Sequence, residues 1–335
     1  MSHVPIYPVT NLLFLRERRM LEIIHPGISR GHIRHALFDF DGTISLIRAG
    51  WQDVMIPQMV EWLLETPDHE SEAELTQIVT EFVTRLTGKQ TIYQMIQLAK
   101  EIARRGGRPE DPLVYKRRYL DALWERIKDR VAGLKTGLLV PDDLMVPGAR
   151  AILDAFHARG VRCYLASGTD EPYVLDEAVA LGITDYFAGI YGARDDYQTF
   201  SKKLLIERII AENALSGPEF VAFGDGFVEI EDTVRVGGIA VGVASDEATR
   251  SGIDAWKRAR LIQAGADLIV PNFREHEALV AYLFDSAWPK ILKRKTKNGT
   301  REDATVLILR FTPYALRFTF HALRFTRYSH ALLHF

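Results

Sequence analysis

From Pro147-Gly148 to about residue 270, short apolar runs alternate with amphipathic segments. The patterns predict helix 149–159, strand 161–166, helix 171–181, strand 187–191, helix 202–213 and strand 219–223. Strand 238–243 and the apolar run Leu268 to Val270 complete the series. Alternation of this kind, punctuated by glycine, builds a parallel sheet covered by helices on both faces. One further buried strand, Ile33 to Phe40, stands far upstream and needs neighbours that only the later half supplies. The expected fold class is therefore α/β, with a parallel-sheet core assembled from two separated stretches of chain.

What separates them is helical. Trp51, Val54, Met55, Met59, Trp62 and Leu63 fall on one stripe, and Leu75, Ile78, Val79, Phe82 and Leu86 on a second. Ile92, Met95, Ile96, Ala99 and Ile102 form a third, and Leu120, Leu123, Ile127 and Val131 a fourth. Ser71 followed by Glu74 reads as a capping box, and Asp111-Pro112 as an N-cap with proline at the first helical position. At 335 residues the chain has room for a core plus a second module. The expected layout is an N-terminal appendage at 1–30, an α/β core at 31–46 and 147–285, an inserted all-helical domain at 47–146, and a tail at 286–335. Asn11 to Ile24 is the one helix candidate of the appendage. In the tail, Leu-Arg-Phe-Thr recurs at 309, 316 and 323, but Phe and Thr are mediocre helix formers and Pro313 interrupts, so no folded role is expected.

Composition narrows the partners. A formal net charge of -2 gives no electrostatic ground for nucleic acid or an anionic membrane. Without an apolar stretch of membrane-spanning length or a secretory leader pattern, the expectation is a cytoplasmic chain. The lone Cys163 lies in an apolar run and reads as a buried, inert thiol. No pattern specifies an oligomeric state.

Open parallel sheets bind ligands at the carboxyl ends of their strands. Polar groups stand there at Asp39-Phe40-Asp41-Gly42-Thr43, at Ser167-Gly168-Thr169-Asp170, at Lys202-Lys203 and at Gly224-Asp225-Gly226 with Glu229. Asp39 and Asp41, one residue apart in an extended segment, point to the same side. Two carboxylates so close are costly unless a divalent cation neutralises them or one is protonated, and those devices give a nucleophile beside an acid.

The run Phe38-Asp39-Phe40-Asp41-Gly42-Thr43 resembles the first motif of the haloacid dehalogenase superfamily, whose members are mostly aspartate-nucleophile phosphatases. Ser167 is similar to the second motif. Lys202 matches the third better than Lys203, because Ile206 and Ile209 follow it in the expected helical phase. Gly224-Asp225 with Glu229 resembles the fourth, a magnesium-binding acidic pair in which aspartate is commoner at the second place; Asp232 is the weaker substitute.

That resemblance implies a Rossmann-like core, a helical cap that closes over the site, and a small phosphorylated metabolite as substrate. It implies Mg2+ held by Asp39, Asp41, Asp225 and Glu229, the last directly or through water. Asp39 would attack phosphorus, Asp41 would act as acid and then base, and Ser167 and Lys202 would hold phosphoryl oxygens. Thr43, Gly168, Thr169 and Arg48 are the candidate substrate contacts, with Trp51, Gln52, Lys89, Gln90 and Tyr93 as cap residues able to face the site. A phosphosugar mutase on the same residues and a non-catalytic binding protein on the same fold are the alternatives. A dehalogenase proper would need neither Asp41 nor the metal.

Overall fold

The structure, a computed structural model, describes residues 21–197 and 201–285. The repeated tail and most of the Asn11–Ile24 helix candidate lie outside the described residues. The end of that candidate is not helical: Glu22–Ile23 form strand β1, antiparallel to a later edge strand. Two residues of backbone pairing outweigh an amphipathic pattern there, because an open sheet edge offers hydrogen bonds ready made.

The sheet has the order β1-β7-β6-β5-β2-β3-β4. Its strands are β2 (His35–Asp39), β3 (Arg162–Asp170), β4 (Phe187–Ala193), β5 (Phe220–Gly224), β6 (Ile239–Val243) and β7 (Leu268–Val270), all parallel apart from β1. β2 is central, paired with β5 on one side and β3 on the other. Every residue of β2, β5 and β6 is buried, which is why these strands read as continuous apolar runs. β3 runs on to Asp170, past its predicted end, across a register shift between Ala166 and Asp170. Such an irregularity re-aims side chains at a strand end.

Helices α5 (Ala149–His157), α6 (Glu171–Ala180), α7 (Lys202–Glu212), α8 (Phe227–Arg235), α9 (Ala255–Gln263) and α10 (His276–Phe284) flank the sheet. Successive residues of β2 serve opposite faces. Phe38 stacks on Phe223 with ring centroids 4.6 Å apart, and Phe156 of α5 sets its edge against both. Leu37 joins Ala222, Leu205, Ile206 and Ile209 on the α7 side.

Between β2 and α5 stand four helices, α1 (Gln52–Leu64), α2 (Glu72–Leu86), α3 (Thr91–Arg104) and α4 (Pro112–Lys135). The capping box at Ser71 and Glu74 is formed, and Asp111 accepts the Leu113 N–H. The chain enters and leaves this module side by side: Leu46 N donates to Leu144 O at 2.8 Å, and Val146 N to Ile44 O at 2.9 Å. Among the described residues no helix is long and apolar enough to cross a membrane.

Candidate active site

The carboxyl ends of β2, β3 and β5 and the head of α7 meet at one cavity of about 90 Å3. Asp39, Asp41, Arg48, Ser167, Gly168, Thr169, Lys202 and Asp225 stand on its wall. The turn after β2 makes this possible. Phe40 O accepts the N–H groups of Thr43, Ile44 and Ser45, and Gly42 takes φ +74°. A β-carbon at Gly42 would also come within 2.3 Å of Asp225 Oδ2, so both conformation and space require glycine.

Asp39 is buried and accepts from Lys202 Nζ at 2.6 Å. Burial pushes its carboxyl well above the usual range; Lys202 opposes this, while Glu229 and Asp225 add to it. Carboxylate oxygens of Asp39, Asp225 and Glu229 lie within 4.8 Å of one another, a hard-oxygen set suited to a divalent cation. Glu229 is already occupied, however. Its Oε1 accepts from Gly226 N at 3.0 Å and its Oε2 from Lys202 Nζ at 3.0 Å.

Asp41 is held differently. Ser167 Oγ and Thr169 Oγ1 both donate to its Oδ2 at 2.9 Å, while Oδ1 is buried without a hydrogen-bond partner, 4.0 Å from Arg48 Nε. Two hydroxyls thus fix the orientation of the carboxyl through Oδ2, and Oδ1 is left without a hydrogen bond of its own.

Of the two lysines, Lys202 points inward with Ile206 and Ile209, and Lys203 lies on the surface beside Glu207 at 3.8 Å. Thr43 does not reach the cavity wall, because the tight turn directs it into the interior, where its Oγ1 is buried and unpartnered. Trp51 and Lys89 line the cavity; Gln52, Gln90 and Tyr93 do not, and Asp232 pairs with Arg235 instead.

A family described as haloacid dehalogenase-like hydrolase matches residues 33–231, more than half of the chain. The chain belongs to this family. A crystal structure of a predicted phosphoglycolate phosphatase from Haemophilus somnus shares the fold with this hydrolase. Its TM-score is 0.51 at 15% identity, over 74% of this chain and 98% of that one. A predicted phosphatase from Clostridium acetobutylicum gives a TM-score of 0.49 at 16% identity, over 75% of this chain and 99% of that one. No curated protein matches the chain.

Several residues of this hydrolase's site had no motif to announce them. The helical module covers the cavity with Met55, Thr91, Gln94, Tyr119 and Leu123, and the loop after β6 adds Glu247. The loop between α2 and α3 lies directly on the core: a β-carbon on Gly168 would meet Lys89 O at 2.8 Å, and one on Gly226 would meet Gly88 Cα at 2.9 Å. Arg260 of α9 fastens that loop. Its guanidinium donates to Thr84 O at 2.5 Å, Arg85 O at 2.7 Å and Thr87 O at 3.3 Å, carbonyls at and just past the C-terminal end of α2, where a cation also suits the helix dipole. Hydrogen bonds to a charged group contribute about 1.5–3 kcal/mol. Arg260→Ala should therefore speed amide hydrogen exchange across residues 84–90 by about tenfold or more, with the sheet unaffected; unchanged exchange there would show that the loop is held by other contacts.

Arg48 is clamped by Glu177 of α6, with Nη2 at 2.7 Å and Nε at 3.0 Å from Oε1. Burial pushes the Glu177 carboxyl up to about 7, against the pull of Arg48 and with Asp41 adding to the rise. The folded chain thus keeps a proton that the unfolded chain releases above 4.5, the ordinary value. This group's contribution to stability is full at lower pH and is lost as pH rises from 4.5 through 7. The difference in urea midpoint between wild type and Glu177→Gln should accordingly change across that window and be flat above it; a difference independent of pH would contradict the assignment.

Proposed function

We propose that this hydrolase is a magnesium-dependent phosphatase of small phosphomonoesters, working through an aspartyl-phosphate on Asp39. The layout proposed with it is a cap of residues 47–146 over a core of 31–46 and 147–285. The observation that carries the reading is the pairing of two differently held carboxyls on the wall of one cavity: Asp39 against Lys202, and Asp41 against Ser167 and Thr169.

Asp39 attacks phosphorus, and Asp41 gives its proton to the leaving oxygen. Asp41 then takes a proton from the water that opens the intermediate, so two easier displacements replace one. Lys202 and Ser167 hold the remaining phosphoryl oxygens, and their fixed placement supplies stabilisation without reorganisation. Asp39, Asp225 and the Asp41 main-chain carbonyl are the ligands we assign to Mg2+, which when bound neutralises phosphoryl charge. Glu229, with both oxygens engaged, is assigned to holding Lys202 and the turn at Gly226.

The cavity of about 90 Å3 favours small substrates, sugar phosphates first among them, over phosphoproteins or nucleic acids. Arg48, Gly168 and Thr169 border the space left for the leaving group. The test is kcat/KM across small sugar phosphates, phosphoglycolate, nucleotides and a phosphopeptide, monitoring free phosphate and isomerised product, with and without EDTA. The expected result is phosphate release from a small monoester that chelation stops. Highest efficiency on the phosphopeptide, or activity untouched by thorough chelation, would overturn the reading, and isomer without phosphate would transfer it to a mutase.

A further inference from the structure

Asp39 and Asp225 are each paired with a lysine ammonium. That of Asp39 is Lys202; that of Asp225 is Lys257 of α9, whose Nζ lies 2.8 Å from Oδ2. Lys257 is buried and does not stand on the cavity wall. Its other contacts are Glu247 Oε1 at 2.7 Å and Ser245 Oγ at 3.3 Å. Ser245 Oγ donates in turn to the Gly42 carbonyl at 2.6 Å. The backbone is fixed as well, since Asp254 caps α9 by accepting from Lys257 N at 2.8 Å. Burial opposes the lysine's charge, but Asp225 and Glu247 outweigh it and hold the ammonium above its ordinary pKa.

We propose that Lys257, clamped by Glu247, is a positioning residue that anchors one oxygen of Asp225, leaves the other for a divalent cation, and sets how tightly that cation is held. The proposal rests on the reading of Asp39 and Asp225 as cation ligands. Its logic is one of charge. Lys257 alone repels a cation and Glu247 alone attracts one; together they nearly cancel, so the pair orients Asp225 with little net electrostatic cost. Removing one member unmasks the other.

The experiment is calorimetric titration of Mg2+ into the full-length chain without substrate, for wild type, Lys257→Met, Glu247→Gln and the double variant, with melting curves to verify folding. Binding by wild type tests the underlying reading by itself, and its absence overturns both. Given binding, Lys257→Met should tighten Mg2+ by roughly fivefold and Glu247→Gln should weaken it by a similar factor, for a unit charge a few ångströms away at an effective dielectric near 20 and screened by its neighbours. The double variant should return to within about twofold of wild type, yet turn over slowly because Asp225 has lost its anchor. Shifts of the same sign, or none, with wild type binding normally, would leave the pair a packing feature and overturn the proposal. Should Lys257→Met fail to fold, Glu247→Gln decides alone, and an unchanged Kd overturns it.

Discussion

Asp39→Asn should lower kcat by on the order of 10^4-fold or more, the scale on which removal of a covalent nucleophile acts. The amide keeps the volume of the carboxyl but cannot attack phosphorus, so the fold should survive. The packing around position 39 supports this: the side chain ends a fully buried strand, and Lys202 retains Glu229 as a partner at 3.0 Å. The comparison is a steady-state assay on the best substrate from the panel, with circular dichroism to show the same fold. Turnover near wild type in a folded Asp39→Asn chain would remove the mechanism.

Lys202→Ala should be damaging in a second way. The ammonium neutralises two buried carboxylates, Asp39 at 2.6 Å and Glu229 at 3.0 Å, and deleting it leaves both uncompensated. Breaking a buried pair by removing one partner costs about 3–5 kcal/mol. The expected outcome is a markedly lower urea midpoint together with loss of activity. Lys203→Ala, which removes only a half-exposed group facing Glu207, should change stability by less than about 1 kcal/mol. The reverse ranking would mean that Lys203 is the inward lysine. Because Mg2+ and Lys202 both offset the charge of Asp39, added Mg2+ should recover part of the stability of Lys202→Ala.

The strand ends were the legible part of this site. Asp39, Ser167 and Asp225 each close an apolar run, and in an open parallel sheet the ends of neighbouring strands must converge; the structure pairs Asp39 with Ala166 and Phe38 with Phe223. Lys202 could be separated from Lys203 because helical phase is local, and Ile206 and Ile209 carried it. Glu177, Glu247 and Lys257 were beyond reach for the opposite reason. Each is a charged residue in a helix or loop with no motif around it, and only the packing of α6 and α9 against the sheet brings Glu177 to Arg48, Lys257 to Asp225 and Glu247 to Lys257. Tyr119 was nearer: it stands four residues before Leu123 on the buried face of α4, and including aromatic residues in that stripe would have found it. β1 was hidden because a two-residue edge strand carries no period of its own.

In the proposed mechanism phosphorus passes through a covalent bond to Asp39. Its most direct test is acid quenching during turnover of the preferred substrate, followed by borohydride reduction and mass spectrometry of the peptide that carries both Asp39 and Asp41. The expected result is an aspartyl-phosphate whose reduced product maps to Asp39, present in wild type and absent from Asp39→Asn. Reduction mapping to Asp41 or to Asp225, or robust turnover with no covalent label under any quench, would contradict it.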